Sequence, residues 1–226
     1  MNRQYFQEQL DQLMRDTLVL GDKVVDALVR ALAALQTNNV EQMSAVIDND
    51  QQINAVVEEL HHRCLTMIAR QQPMARDLRE ISVVLSLLPE LERIADHAAS
   101  CCKIMRRMQT MPGFVPLGSM IGSFPTLLSE MGNLTLQLLQ HGLDALARRD
   151  AAYAEQLCQE DDAIDHLYKA LFAETIAVAR SQPDYSDEAI HLLTLAHNLE
   201  RIGDRVTNLA EQVIFLLRGE VVELNT

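Results

Sequence analysis

Apolar residues recur along the chain at helical rather than strand spacing. Leu10, Leu13, Val24, Leu28 and Leu35 fall on one face of a helix, as do Met43, Val46, Val57, Cys64 and Ile68. Further stripes run through Leu78, Ile81, Leu85, Leu88 and Ala99, through Ala154, Leu157, Tyr168 and Phe172, and through Ala189, Leu193, Ala196 and Ile214. Spacing of three and four residues is the signature of an amphipathic helix, and residues 22–72 and 143–182 contain no Gly or Pro to interrupt one. Polar or helix-breaking clusters at Thr37-Asn38-Asn39, Gln71-Gln72-Pro73, Thr110–Gly118, Arg149-Asp150 and Ser181–Ser186 divide the chain into six segments of helical length. The stretch TMPGFVPLG, with two prolines and two glycines, reads as a linker at 111–118 between residues 1–110 and 119–226.

The two halves repeat each other. Gly21-Asp22 matches Gly132-Asn133 and Asp50 matches Asp161 at a spacing of 111, Gln72-Pro73 returns as Gln182-Pro183, and LERIAD at 91–96 returns as LERIGD at 199–204. Chance similarity between amphipathic helices does not preserve this order of motifs. The expected fold is therefore all-α: two pseudo-symmetric antiparallel three-helix bundles made of six long helices, with short turns keeping sequential helices antiparallel.

Carboxylates interrupt the stripes. Glu92 and Asp96, Glu200 and Asp204, Asp161 and Asp165, and Asp50 and Asn54 are each four residues apart and project from one helix face among apolar neighbours. Asp48 and Asp162 point elsewhere, and Asp22 and Asp26 lie opposite the first stripe, all solvated positions. Two residues equidistant from a hairpin turn lie at one level. Asp50 with Asp96 and Asn54 with Glu92 are centred on Pro73, and Asp161 with Asp204 and Asp165 with Glu200 are centred between Gln182 and Pro183. Each half thus brings facing pairs together about 30 Å from its turn.

Converging carboxylates repel and resist desolvation unless protons, Arg and Lys, or a metal compensate them. Oxygen ligands suit hard ions such as Mg²⁺, Mn²⁺, Ca²⁺ or iron. Arg93 and Arg201, about 100° round the helix, do not neutralise the whole set. The spacing therefore makes Asp161, Asp165, Glu200 and Asp204, with Asp50, Glu92 and Asp96, candidate metal ligands, a salt-bridge network being the alternative. Glu58 and His61, Glu59 and His62, and Glu188 and His191 have ExxH spacing, but reflection through the turns puts no acid opposite the first two pairs and only Glu174 opposite the third, too few for a di-iron centre. His97 and Cys101 supply half of a soft tetrahedral site, and Cys101 and Cys102 read more simply as buried small residues. Pro89 is expected to bend the helix that carries Glu92.

Composition narrows the class. The 226 residues have a net charge of −13, no Trp, 8 Gly and 6 Pro, and their 48% hydrophobic content is enough for a packed core. Residues 1–110 carry −3 and residues 111–226 carry −10, which argues against nucleic acid and for cations or basic protein surfaces as partners. Four cysteines without CxxC spacing fit free thiols in a reducing cytosol, and no signal peptide or membrane span is expected. No phosphate loop, GxSxG or nucleophile and base pair is present.

The doubled LERIAD and LERIGD, the RQQPMARDLR stretch at 70–79, Asn208 after the second motif and the six-segment repeat resemble the PhoU family of bacterial phosphate-signalling regulators. The departures are Asn54, Pro89, Ala95 for Gly203 and Ser100 for Asn208. The resemblance implies two bundles about a pseudo-twofold axis, a homodimer, and a non-enzymatic cytoplasmic regulator peripheral to the inner membrane through its partners. Those implied partners are the phosphate ABC transporter ATPase and a sensor histidine kinase, and the implied effect is to suppress phosphate uptake and the starvation response. It also implies metal clusters on the E/D-xxx-D motifs, here Asp161, Asp165, Glu200 and Asp204 together with Asp50, Glu92 and Asp96, holding iron, Mn, Mg or Zn. The competing expectations are a di-metal carboxylate-bundle enzyme and a metal-storage protein.

Overall fold

A computed structural model describes residues 3–119 and 122–224. Its six helices are α1 (Arg3–Thr37), α2 (Val40–Gln71), α3 (Arg76–Met108), α4 (Phe124–Arg148), α5 (Ala151–Ser181) and α6 (Ser186–Arg218). Single 3-10 turns at Leu117–Ser119 and Pro183–Tyr185 complete the regular structure among the described residues. Helices α1–α3 pack as one antiparallel triplet and α4–α6 as another, as the stripes and turns predict.

The turns are duplicated in detail. Asn39 caps α2 by accepting the Gln42 N–H at 3.0 Å, and Asp150 caps α5 by accepting the Tyr153 N–H at 3.0 Å. Such caps contribute about 1 kcal/mol each. The residue before each cap, Asn38 at φ 51° and Arg149 at φ 54°, takes the left-handed conformation that ends the preceding helix. Buried positions repeat at a spacing of 111 between α1 and α4, from Leu13 and Phe124 to Leu35 and Leu146. The same spacing relates α2 to α5 from Met43 and Ala154 to Met67 and Val178, and a spacing of 108 relates α3 to α6 from Ile81 and Ala189 to Met108 and Leu216.

The halves share a continuous apolar core rather than standing apart on the linker. Two helix pairs cross between them, α1 with α4 and α3 with α6, and each pair maps onto itself under the repeat. On α1 and α4 the approach is so close that a Cβ on Gly21 would meet Leu143 Cδ2 at 2.5 Å, and one on Gly132 would meet Leu32 Cδ2 at 2.7 Å. These two contacts are the same contact made once from each side of the pseudo-twofold axis. On α3 and α6, Glu90 Oε2 accepts from Asn208 Nδ2 at 3.1 Å and from Arg205 Nη1 at 3.4 Å. The symmetry-related positions are Asn198 and His97, and there the Asn198 Oδ1 lies 3.0 Å from His97 Nδ1. Asn198 Nδ2 donates to Thr194 O at 2.8 Å, so the amide oxygen faces the ring and His97 donates from Nδ1. Burial holds the His97 pKa below its ordinary value, which favours a neutral hydrogen bond on this side and leaves the ion pair on the other.

Pro89 is exposed and sits inside a continuous α3. Two members of the predicted stripes turn outward, Leu78 at 42% and Phe172 at 50% exposure, while Ile81 and Leu171 close by are fully buried, so the packed face is turned away from the predicted stripe at these points.

Candidate metal centre

The carboxylates expected to lie level sit on α2 facing α3 and on α5 facing α6, and charge effects link Asp50 to Asp96 and Glu92, and Asp161 to Asp165, Asp204 and Glu200. In the second bundle Asp161 is buried, 7% exposed, on the face of α5 that packs on α6. Its carboxylate fits only because residue 203 is glycine: a Cβ there would stand 2.3 Å from Asp161 Oδ1. Burial, followed by the charges of Asp165, Asp204, Glu200 and Asp162, raises its pKa to about 7. Burial and the neighbouring carboxylates also raise Glu200 and Asp204, with His197 and Arg201 pulling the other way.

Two of these four acids carry a cation from their own helix, and a third has an imidazole beside it. Lys169 Nζ lies 3.8 Å from Asp165 Oδ2, His197 Nδ1 lies 3.1 Å from Glu200 Oε2, and Arg201 Nη1 donates to Asp204 Oδ2 at 2.9 Å. Arg201, expected off to one side, therefore reaches one carboxylate of the set. The His197 contact lacks hydrogen-bond direction, and Glu200 Oε2 stays buried without a donor. Asp161 has neither an ion pair nor a hydrogen bond among the described residues.

In the first bundle Asp50, Asn54, Glu92 and Asp96 are all partly buried. The Asp50 pKa is raised by burial first and then by the Asp96 charge, Lys103 opposing this, while a side-chain hydrogen bond to Asp96 and the Glu92 charge add smaller increments. Asp50 Oδ1 and Asn54 Oδ1 are buried without a donor. A cleft lined by Asn54, Glu58, His61, Pro89 and Glu92 opens beside this cluster.

Among the described residues no three His, Cys, Asp or Glu side chains are gathered closely enough to hold a metal ion as they stand. The residues nonetheless fit a hard cation in donor chemistry: oxygen ligands from facing helices, buried acceptors without donors, and an Asp161 with no positive partner. Asp22, Asp26, Asp48 and Asp162 are exposed, as their helical angles predict, and Asp26 pairs with Arg30 at 2.9 Å. Glu58, His61, Glu59 and His62 are exposed, and His191 Nδ1 lies 2.7 Å from the Asp187 carbonyl, so the ExxH pairs assemble no di-metal centre. Cys101 is fully buried with its Sγ 3.8 Å from the Leu195 carbonyl, while His97 is taken up by Asn198, so this pair is structural.

One polar element escaped the sequence reading. Glu80 is 5% exposed and accepts from Arg149 Nη1 at 2.9 Å, with Arg76 Nε at 3.6 Å. Arg149 belongs to the turn of the other bundle, so this pair, its carboxylate buried and its guanidinium at the surface, ties the halves together. The signal lay in the repeat, which aligns Glu80 with Glu188 and Arg149 with Asn38.

A duplicated all-α molecule with facing carboxylate pairs set into apolar helix faces belongs to the class of duplicated helical-bundle proteins. The PhoU domain family matches residues 17–105 and 128–213, one match in each bundle. A phosphate-specific transport system accessory protein PhoU homolog from Clostridium acetobutylicum is 29% identical over 226 residues, covering 100% of both chains. A homolog of the same name from Xylella fastidiosa is 33% identical over 215 residues, covering 95% of this chain and 86% of its own. The crystal structure of the phosphate transport system regulatory protein PhoU from Streptococcus pneumoniae superimposes with a TM-score of 0.85 at 28% identity, over 96% of this chain and 99% of that one. The chain belongs to the PhoU family. It is an accessory protein of that family and not an enzyme, so the carboxylate-bundle enzyme is discarded. No helix among the described residues is long and apolar enough to cross a membrane.

Proposed function

We propose that this chain is a cytoplasmic, metal-binding regulator of phosphate homeostasis. It restrains phosphate uptake and the phosphate-starvation response by contacting the phosphate ABC transporter ATPase and a sensor histidine kinase, and it acts as a homodimer. The observation that carries this reading is the family match in both repeats, together with relatives named as phosphate transport accessory proteins over the length of the chain. The acidic second half suits contacts with basic protein surfaces.

The proposed ligands are Asp161, Asp165, Glu200 and Asp204 in the second bundle and Asp50, Glu92 and Asp96 in the first. A bound iron, Mn, Mg or Zn ion would supply the positive charge these acids lack. The chain's own part is to hold the acids level across a helical hairpin, with Gly203 making room for Asp161, Lys169 and Arg201 balancing Asp165 and Asp204, and the His197 ring beside Glu200. Support comes from the donor-free Glu200 oxygen and from the unpaired Asp161.

Affinity purification from phosphate-replete cells is expected to recover the transporter ATPase and the kinase, and deletion is expected to raise phosphate-regulated expression. Recovery of neither partner with unchanged expression would overturn the regulatory reading. Metal analysis of protein purified without chelator tests the clusters separately. Metal is expected on the wild type and reduced in the Glu200→Ala, Asp204→Ala double variant, and absence from both after metal addition removes the metal from the proposal.

A further inference from the structure

At the end of the second bundle where α6 begins lies a cavity of about 130 Å³ lined by Val115, Phe124, Val178, Tyr185, Leu192 and Glu188. It is walled mainly by apolar side chains; the half-buried Glu188 lines it, and its Oε2 is covered with no hydrogen-bond donor among the described residues. A carboxylate oxygen in such a place is costly unless a donor reaches it.

The first bundle shows how the same position is satisfied. Glu80 stands where Glu188 stands, 108 residues earlier, and receives Arg149 and Arg76. The residues that repeat these arginines in the second bundle are Asn38 and Asp184, and neither brings a charge that a carboxylate can use. The covering also differs. Helix α1 begins at Arg3, three turns before Leu13, whereas α4 begins at Phe124, the counterpart of Leu13, so the linker replaces those turns. Val178 replaces the larger Met67, and the cavity remains.

We propose that this cavity is a socket for an arginine side chain presented by a partner protein, which supplies from outside the guanidinium that Arg149 supplies from inside the chain. The guanidinium pairs with Glu188 and the aliphatic stem lies along Val178 and Leu192. Arginine suits the site because its head is weakly hydrated and its fork of donors matches a carboxylate. A protein rather than a small amine is favoured by the apolar rim: Tyr185 is 40%, Ile190 52% and Ile176 39% exposed, and Ile176 lies level with the first turns of α6. Asp184 and Asp187 extend the negative charge around it. The socket is independent of metal binding at the carboxylate clusters.

The test uses the full-length protein and the capped tripeptide acetyl-Leu-Arg-Leu-amide, followed by amide chemical shifts. Shifts are expected at Tyr185–Leu192, with affinity at least tenfold weaker for the citrulline tripeptide and for the Glu188→Gln variant. Asn38→Arg, placed at a backbone position whose counterpart is already Arg, is expected to pair with Glu188 in cis and block the peptide while the protein keeps its melting temperature. Equal binding of the arginine and citrulline peptides, no binding of either, or undiminished shifts in Glu188→Gln would overturn the proposal. Agmatine binding as tightly as the tripeptide would overturn the partner assignment in favour of a small amine.

Discussion

The two carboxylate clusters occupy equivalent places in the repeat, but they are compensated in different ways. Around Asp161, Asp165, Glu200 and Asp204 stand Lys169, Arg201 and the His197 ring, so two of the four charges have a cation on their own helix, Glu200 has an imidazole beside it, and Asp161 is buried against Gly203. The corresponding positions in the first bundle are Glu58, Pro89 and the exposed Arg93, which makes no ion pair among the described residues. Among the described residues no cation at those positions pairs with the cluster, although Lys103 acts on Asp50, and the charge has been lowered instead: Asn54 stands for Asp165, and Ala95 stands for Gly203. Crowded acids can be managed by adding positive charge or by removing negative charge, and this molecule does each once.

That contrast can be tested by moving each feature across the repeat. The largest effect is expected from Asp161→Asn in chelator-treated protein. The Asp161 pKa is raised when folded, to about 7, above its ordinary value of 3.8. The unfolded chain releases this proton first, so the stabilisation is complete below pH 4, declines as pH rises and is gone above about 7. The wild type should lose up to about 4 kcal/mol across that range relative to the Asn variant, less where the four acids share the proton. Denaturant titrations of both proteins at pH 5 and pH 8 measure the difference, and parallel pH curves would refute it.

Next in size is Gly203→Ala, which copies Ala95 into the second site. Alanine normally favours a helix interior by about 1 kcal/mol over glycine, but here its Cβ displaces a buried carboxylate, at a cost of about 1–3 kcal/mol. A lower melting temperature at neutral pH is expected, and an increase would show that Asp161 moves aside freely. Asn54→Asp restores the missing charge to the first site. Without metal it should destabilise by about 1 kcal/mol through repulsion with Glu92 and Asp96, and with Mn²⁺ or Fe²⁺ added calorimetry should show stronger uptake. Smallest is Lys169→Glu, which copies Glu58. The Lys169–Asp165 pair is 3.8 Å apart with side chains 71% and 43% exposed, so only a few tenths of a kcal/mol should be lost, and less at high salt.

Much of this was legible before any coordinates. The turn clusters mark all six helices, because Gly, Pro and polar caps mark ends that stripes alone leave open, and reflection through Pro73 and through the point between Gln182 and Pro183 brought Asp50 to Asp96 and Asp161 to Asp204. Three matters were not legible. Which long side chain folds back onto which acid depends on rotamers, so the pairing of Arg201 with Asp204 could not be read from a helical angle. The fit of Asp161 against Gly203 depends on the interaxial distance, which periodicity does not report. The sharing of one core by both triplets depends on α1 meeting α4 and α3 meeting α6, and a linker rich in Pro and Gly suggested more independence than the packing allows.

The crossing of α3 and α6 has a consequence for what such a molecule can become. When two identical chains meet on a twofold axis, every contact is made twice with the same residues, and a change that helps on one side is forced on the other. Here Glu90 with Arg205 and Asn198 with His97 are one contact written in two different ways. Covalent linkage lifts the rule of self-complementarity while keeping its geometry, so each half can specialise without spoiling the fit. The molecule is a symmetric body with a distinguishable left and right.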